Sequence, residues 1–319
     1  MVKVIDLIEI KNVIGSIDVV SAMEYGFKLY SQGETIIPPV GELIFDNPKG
    51  EAHIKYGYIK SDSYYVIKVA SGFYENHKYG IDSCQGLMLL FSKNTGVPLA
   101  ILLDEGYLTN IRTAAAGALV AKYFSPKNIK GIGKQGTGIQ AKLQLEYLQC
   151  SSPCKHIWVW GRNEENAQKF ASHFNDSFSI NIAASPSEVA KNCNLIVTTT
   201  PSKTPLLKTE DILPGTHITA VGSDTEEKQE LDSSLLKKAD LVIADSLSQS
   251  ESRGEIFQAL KNKQIRKSNI TELGNALLNK KLQRPDDEQI TVTGLTGVAI
   301  QDVMIAKAVY ERLRVDIKK

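Results

Sequence analysis

Between Ile129 and Ala141 the chain reads I-K-G-I-G-K-Q-G-T-G-I-Q-A, which contains two overlapping glycine fingerprints. One is Gly131-x-Gly133-x-x-Gly136; the other is Gly136-x-Gly138-x-x-Ala141. Such a turn binds a dinucleotide when a buried strand leads into it and a helix starts within it. Its glycines let the backbone bend tightly against the pyrophosphate, and amides at the helix start stabilise the phosphate charge. In the first register the leading strand is Ser125–Lys130, which has one apolar side chain and Pro126, a poor central strand. In the second the strand is Ile129–Gln135, and a helix over Ile139–Leu148 sets Ala141, Leu145 and Leu148 on one face. The second register is the stronger reading, weighed against a glycine-rich packing turn with no ligand. It puts Lys134 and Gln135 where a buried strand should be apolar, which is tolerable if their polar heads reach the cleft or solvent; the alternatives are a locally poor strand or an alteration from the natural sequence.

A second strand, I-W-V-W-G-R, ends about 25 residues after the turn, where a dinucleotide's adenosine ribose is met. An acid at that tip suits a free 2′-hydroxyl, an arginine a 2′-phosphate. The tip is Gly161-Arg162-Asn163, with Glu164 just beyond. Arg162 thus favours NADP(H); NAD(H) is the alternative, with the arginine stacked on adenine or facing water. Arg112 and Thr113 open an alanine-rich helix, a place that suits an anion, either a carboxylate or the cofactor phosphate. The plainer alternative makes Thr109 an N-cap and Arg112 a surface charge. Lys68 interrupts the run Y-Y-V-I-K-V-A, so it lies at an edge or projects into a site. Val221-Gly222-Ser223-Asp224 follows a strand at its carboxyl end, where Asp224 could move a proton or simply cap. Thr199, in Thr198–Pro201, lines the cleft or forms a turn. Histidines 53, 77, 156, 173 and 217 show no metal-ligand spacing. Cys150-x-x-x-Cys154 has nothing nearby to complete a zinc set, so no metal is expected and the four cysteines read as unpaired thiols in a reducing cytoplasm.

The elements that must position these groups follow from the pattern of apolar runs. With 319 residues the chain suits two modest domains or one large one. A formal net charge of +1 gives no reason to invoke nucleic acid or an acidic membrane as partner. The start, M-V-K-V-I-D-L-I-E-I, carries acids within its apolar run and does not read as a signal peptide. Short apolar runs at Ile129–Ile132, His156–Trp160, Ser179–Ala183, Leu195–Thr199, His217–Val221 and Leu241–Ala244 alternate with amphipathic runs of helical spacing. That rhythm predicts an α/β fold with a Rossmann-type doubly wound parallel sheet. Earlier in the chain, Val20–Tyr30 reads as a helix, and Tyr64–Ala70, Leu87–Phe91 and Leu99–Leu103 read as strands joined by short turns, hence a separate α+β domain. A helix over Val298–Leu313 is expected to return to that first domain.

With these residues in place, the chain resembles the ornithine cyclodeaminase/mu-crystallin family of NAD(P)-dependent enzymes over most of its length. The matching pieces include T-I-I-P-P (35–39), V-I-K-V-A-S (66–71), L-T-N-I-R-T-A-A-A (108–116) and G-T-G-I-Q-A (136–141). Further along come V-T-T-T-P (197–201), A-V-G-S-D-T-E-E-K-Q-E-L-D (220–232), R-G-E-I (253–256) and T-G-L-T-G-V-A-I-Q-D (293–302). The resemblance implies a substrate and dimerisation domain over residues 1–112 and 298–319, and a Rossmann domain over 113–297. It implies hydride chemistry at the α-carbon of an amino or imino acid, with Lys68 and Arg112 on the substrate carboxylate. Gly136, Thr137, Gly138, Ile139 and Gln140 match the phosphate loop, with Arg112, Thr113, Thr199, Val221, Gly222 and Thr296 as further cofactor contacts. Asp224 matches the aspartate that cyclodeaminases use for proton transfer. Three departures stand out: Val40 follows P-P where many members have arginine, Glu51–Tyr56 replaces a glutamate-x-methionine-proline segment, and Lys134-Gln135 replaces an apolar pair.

The leading expectation is an NAD(P)H-dependent imino acid (ketimine) reductase, a cytoplasmic homodimer acting on a small α-imino or α-amino acid. His53 or Lys55 near the distal end of the substrate favours an acidic tail, as in iminosuccinate. The alternatives are ornithine cyclodeaminase, releasing ammonia as proline forms, and a non-enzymatic binder of cofactor or small ligand.

Overall fold

The computed structural model of the protein describes residues 2–73, 75–149 and 152–317. The chain divides into two units, Met1–Arg112 with Val298–Lys319, and Thr113–Gly297. Among the described residues no helix is long and apolar enough to cross a membrane.

The second unit is built on eight parallel strands. Their order across the sheet is Ser179–Ile182, His156–Trp160, Ile132–Gln135, Leu195–Thr198, His217–Ala220, Thr291–Gly294, Leu241–Ala244 and Ile270–Glu272. Every residue of Leu195–Thr198, His217–Ala220 and Thr291–Gly294 is buried, as expected of parallel strands covered on both faces. The sheet is therefore the doubly wound, Rossmann-type one that the alternating pattern predicts. Its strand order reverses beside Ile132–Gln135, the crevice where open α/β sheets take their ligands. Two of the crossover helices begin on side-chain caps: Asn163 accepts from the Asn166 amide, and Ser185 from that of Glu188, with Pro186 at the first helical position.

The first strand of this sheet begins later than its apolar pattern suggests. Residues 129–131 are outside it, because the Lys130 amide donates to Asn194 Oδ1 while Gly131 O accepts from Asn194 and Leu195. The strand proper is Ile132–Gln135, buried throughout. Neither Lys134 nor Gln135 reaches solvent, contrary to the expectation from sequence. A Cβ on Gly133 would meet Val189 and Cys193, and Gln135 Nε2 donates to Pro186 O at 3.0 Å, so both face the helix Pro186–Asn192. Lys134 alternates to the opposite face, is 0% exposed, and its ammonium has no hydrogen-bond partner among the described residues. Burial pulls its pKa down to about 7.

The first unit carries a seven-stranded sheet in the order Lys3–Ile5, Pro98–Leu102, Cys84–Ser92, Tyr64–Phe73, Lys49–Ile59 and Thr35–Ile36, with Gly41–Asp46 also paired to Lys49–Ile59. All pairs are antiparallel except Lys3–Ile5 with Pro98–Leu102. The helix Ala299–Ile317 packs on the strands Lys49–Ile59 and Tyr64–Phe73 and on the helix Val19–Ser31. The two helices approach closely at Gly26, where a Cβ would lie 2.7 Å from Met304 Cγ. A further helix, Leu7–Ile14, is held by a capping box in which Asp6 and Glu9 exchange bonds, so the acids near the start of the chain serve a helix terminus. In strand register Lys55 lies opposite Lys68, and Lys68 opposite Met88, so these three side chains share one face.

Lys134 yields a stability prediction with a definite sign. Its folded pKa of about 7 lies below the ordinary 10.5, so between those values the unfolded chain holds a proton that the folded chain does not. Stability attributable to this residue rises with pH across that window, by about 1.4 kcal/mol per pH unit, and its cost is full below it. Lys134→Met is expected to raise the urea midpoint at pH 7, and the gap between variant and parent should close towards pH 10. A variant no more stable than its parent at pH 7 would refute the assignment of an unpaired buried amine.

Candidate functional site

In the second unit the glycine turn sits at the carboxyl end of Ile132–Gln135. The Gly136 amide donates to Trp160 O at 2.8 Å, tying the turn to the neighbouring strand. Gly136 has φ +116°, and a Cβ there would lie 2.7 Å from Thr199 Oγ1, so both conformation and space demand glycine. Thr199 in turn donates its amide and hydroxyl to Gln135 O. Gly138 is the N-cap of the helix Ile139–Leu148, has open space around it, and offers no side chain to the helix's first amides. A recess lined by Gly136, Thr137, Gly138, Arg162, Thr199 and Thr200 lies against this turn. A second recess, lined by Gly161, Arg162, Glu164 and Ala184 among others, shares Arg162 with it. The uncapped helix start and the glycine-only turn fit a dinucleotide pyrophosphate, and exposed Arg162 stands where the ribose would come.

The loops around that recess are fixed by buried acids absent from the sequence-based site. Glu230, fully buried, accepts from Thr198 Oγ1, from the amide and hydroxyl of Thr200, and from the Gly222 amide. It thereby clamps the loop after Leu195–Thr198 to the loop after His217–Ala220. The two loops touch so closely that a Cβ on Gly222 would lie 2.2 Å from Thr200 O. Glu255 accepts from the amides of Glu230 and Leu231. Burial pushes Glu230 up to about 7 against its donors, and pushes Glu255, with Glu230 beside it, to about 8. Asp245 plays the same part for Thr296, accepting from its hydroxyl at 2.7 Å and from the Gly297 amide at 2.8 Å. Asp224, after Val221 and Gly222, keeps a partly exposed carboxylate 2.7 Å from Lys228 Nζ. Thr113 O accepts from Gln144 Nε2, and Ile139 and Gln140 open the helix that follows the turn.

In the first unit, three residues far apart in sequence meet on one carboxylate. Lys68 Nζ lies 3.1 Å from Asp302 Oδ2, and Arg112 Nε donates to Asp302 Oδ1 at 3.1 Å. Arg112 Nη1 donates to Gln301 Oε1, and Gln301 Nε2 donates back to Arg112 O. Lys68, Arg112 and Asp302 are 2%, 5% and 1% exposed, so neither cation is a surface charge. The helix bearing Arg112 starts at Tyr107, with the Leu108 amide donating to Asp104 Oδ2, so Thr109 lies within its first turn and is not its N-cap. Burial lowers Lys68 to about 8 although Asp302 resists. Burial alone would raise Asp302, but Lys68, Arg112 and Lys55 outweigh it and hold the carboxyl below its ordinary range. Burial raises Asp104.

Of the two cations considered for a distal group, Lys55 is buried on the face that Lys68 shares. His53 lies between Glu42, 3.2 Å from its Nδ1, and Glu51, 3.8 Å from its Nε2. Any positive charge on that ring is already matched by acids. Cys154 and Cys193 are buried free thiols and Cys84 is exposed, while Cys150 lies outside the described residues.

Known proteins share this architecture. The sequence profile of the ornithine cyclodeaminase/mu-crystallin family matches residues 1–316. An archaeal alanine dehydrogenase, solved as a dimer with bound NAD, is 34% identical with a TM-score of 0.91, covering 99% of this chain and 97% of its own. The Δ1-pyrroline-2-carboxylate reductase of Thermococcus litoralis, solved with NADH and L-proline, is 27% identical with a TM-score of 0.91, covering 97% of each chain. The iminosuccinate reductase of Paracoccus denitrificans, solved with NAD+, is 28% identical with a TM-score of 0.88, covering 99% and 97%.

The glycine turn supplies the second prediction. Gly136→Ala forces both an unfavourable φ and a contact with Thr199, so NADH affinity, followed by fluorescence titration, is expected to fall at least about tenfold. Undiminished affinity would exclude this turn from dinucleotide binding.

Proposed function

The chain belongs to the ornithine cyclodeaminase/mu-crystallin family, and on that premise we propose that it is an NAD(P)H-dependent reductase of a small α-imino acid. The observation that carries this reading is the pair Lys68 and Arg112, two buried cations brought to within 3.1 Å of one carboxylate, Asp302. Arg112 uses Nε and Nη1 in its bonds to Asp302 and Gln301, and neither bond uses Nη2. That guanidinium edge and the Lys68 ammonium suit a substrate carboxylate, which they would orient with the C=N carbon fixed for reaction. The turn at Gly136–Gly138, with Thr137, Ile139 and Gln140, would hold the cofactor's phosphates, and Val221, Gly222 and Thr296 lie on loops that the buried acids fix. A reduced nicotinamide, when bound, supplies the hydride. Asp224 would give the substrate nitrogen its proton, directly or through water, and its partly exposed carboxylate can be recharged from solvent.

Two finer choices rest on single residues. Lys55, buried beside Lys68, supports a substrate with a second carboxylate, such as iminosuccinate; His53, matched by two glutamates, contributes less. Arg162 supports NADP(H), while Glu164 in the same recess would suit the free ribose hydroxyl of NAD(H). We also read the protein as a homodimer: Leu43, Ile44 and Phe45 stand exposed along the strand Gly41–Asp46, an apolar stretch that a second copy would cover.

A panel of imines tested for cofactor oxidation, with NADH and NADPH in parallel, checks the assignment. Turnover of iminosuccinate or pyrroline-2-carboxylate is expected. Ornithine converted to proline and ammonia with catalytic NAD+ would instead mark a cyclodeaminase, and cofactor binding with no turnover of any imine would mark a binding protein. Lys55→Ala is expected to raise KM for the acidic imine at least about tenfold more than for pyrroline-2-carboxylate; equal losses would remove Lys55 from substrate choice. Arg162→Ala should raise KM for NADPH and leave that for NADH nearly unchanged, and a parallel rise in both would end the NADP(H) reading.

A further inference from the structure

We infer that Asp302, with Gln301 beside it, is the positioning residue of the carboxylate site: it orients Arg112 and keeps Lys68 charged enough to bind. The inference rests on the imino acid reductase reading, since it concerns how that substrate's carboxylate is recognised. Two cations withdrawn from water need an anion nearby, and among the described side chains Asp302 is the one that ion-pairs with both. Its two oxygens divide between them, Oδ1 to Arg112 and Oδ2 to Lys68. Gln301 closes a reciprocal pair with Arg112, giving and accepting one bond each, so the guanidinium plane is fixed from two adjacent residues of one helix. Neither residue needs to touch substrate; both act through the cations.

The charge on Asp302 has a chemical consequence at Lys68. Facing Lys68 are Asp302 from the helix Ala299–Ile317, Arg112 from the helix Tyr107–Phe124, Asp104 from the turn before that helix, and Lys55 from the neighbouring strand; Met88, on the other neighbouring strand, does not titrate. Burial disfavours a protonated Lys68, as does Arg112. Asp302 is the main group opposing them. A neutral lysine cannot pair with a carboxylate, so loss of Asp302 should let Lys68 deprotonate at lower pH.

The test compares Asp302→Asn, Asp302→Glu, Lys68→Met and Arg112→Ala in the cofactor-oxidation assay. In Asp302→Asn, KM for the imino acid is expected to rise at least about tenfold, and the alkaline limb of kcat/KM to move about one to three pH units towards acid. Asp302→Glu, which restores the charge, should bring the limb back towards that of the parent, which a merely structural role would not produce. NADH affinity measured by fluorescence should stay unchanged in Asp302→Asn, Asp302→Glu and Lys68→Met. If Lys68→Met raises KM but Asp302→Asn leaves KM and the limb where they were, the inference is overturned while the reductase reading stands. If Lys68→Met and Arg112→Ala leave KM unaltered, or no imino acid is reduced, the reading fails and this inference with it. Should Asp302→Asn not fold, Gln301→Leu removes both of its bonds with Arg112 and keeps the Asp302 charge: it must raise KM without moving the limb, and an unchanged KM overturns the positioning role.

Discussion

A carboxylate that cannot reach water, shared by two cations that also cannot, organises the first unit. Lys68 comes from a strand, Arg112 from the helix Tyr107–Phe124 and Asp302 from the helix Ala299–Ile317, so one ion cluster joins three elements separated by most of the sequence. Desolvating such charges is costly, and the cost is recovered only with close geometry and additional bonds of the kind Gln301 provides. The strand carrying Lys68, the first turns of the Arg112 helix and the beginning of the C-terminal helix are therefore held in one arrangement. A site that holds a substrate carboxylate for hydride addition needs that rigidity, because small displacements in a reacting pair cost large factors in rate.

The second unit solves a related problem with backbone donors. Glu230, Glu255 and Asp245 are buried acids whose partners are amides and hydroxyls of the loops at the carboxyl ends of the strands. Loops are ordinarily the mobile part of a doubly wound sheet, and these three side chains convert several of them into fixed walls. Lys134 shows the contrast. It is buried in the same unit without a hydrogen-bond partner among the described residues, and it survives by giving up its proton near neutrality.

Much of this was legible in the sequence. The glycine register at Gly136 follows from the helix periodicity of Ala141, Leu145 and Leu148, and the structure places a helix at Ile139–Leu148. The doubly wound sheet follows from the alternation of short and long apolar runs. The family was readable because its motifs recur in order from Thr35 to Asp302. The buried acids were missed although they stand inside those motifs, in Q-E-L-D, R-G-E-I and A-I-Q-D, because a glutamate in a polar run looks like a solvated one until burial is known. Strand edges were misplaced where side chains, such as Asn194 on Lys130, take the backbone donors first. The insertion of Thr291–Gly294 between His217–Ala220 and Leu241–Ala244 leaves no trace in local pattern, since sheet order is set by long-range pairing.

The helix Ala299–Ile317 covers the sheet of a unit whose other residues precede it by nearly two hundred positions. On the ribosome, the strands Lys49–Ile59 and Tyr64–Phe73 are made long before the surface that shields them. Until that helix emerges, the nascent sheet exposes the face bearing Lys55 and Lys68, with Asp302 not yet synthesised. The first unit thus completes its core only when the end of the chain has been made.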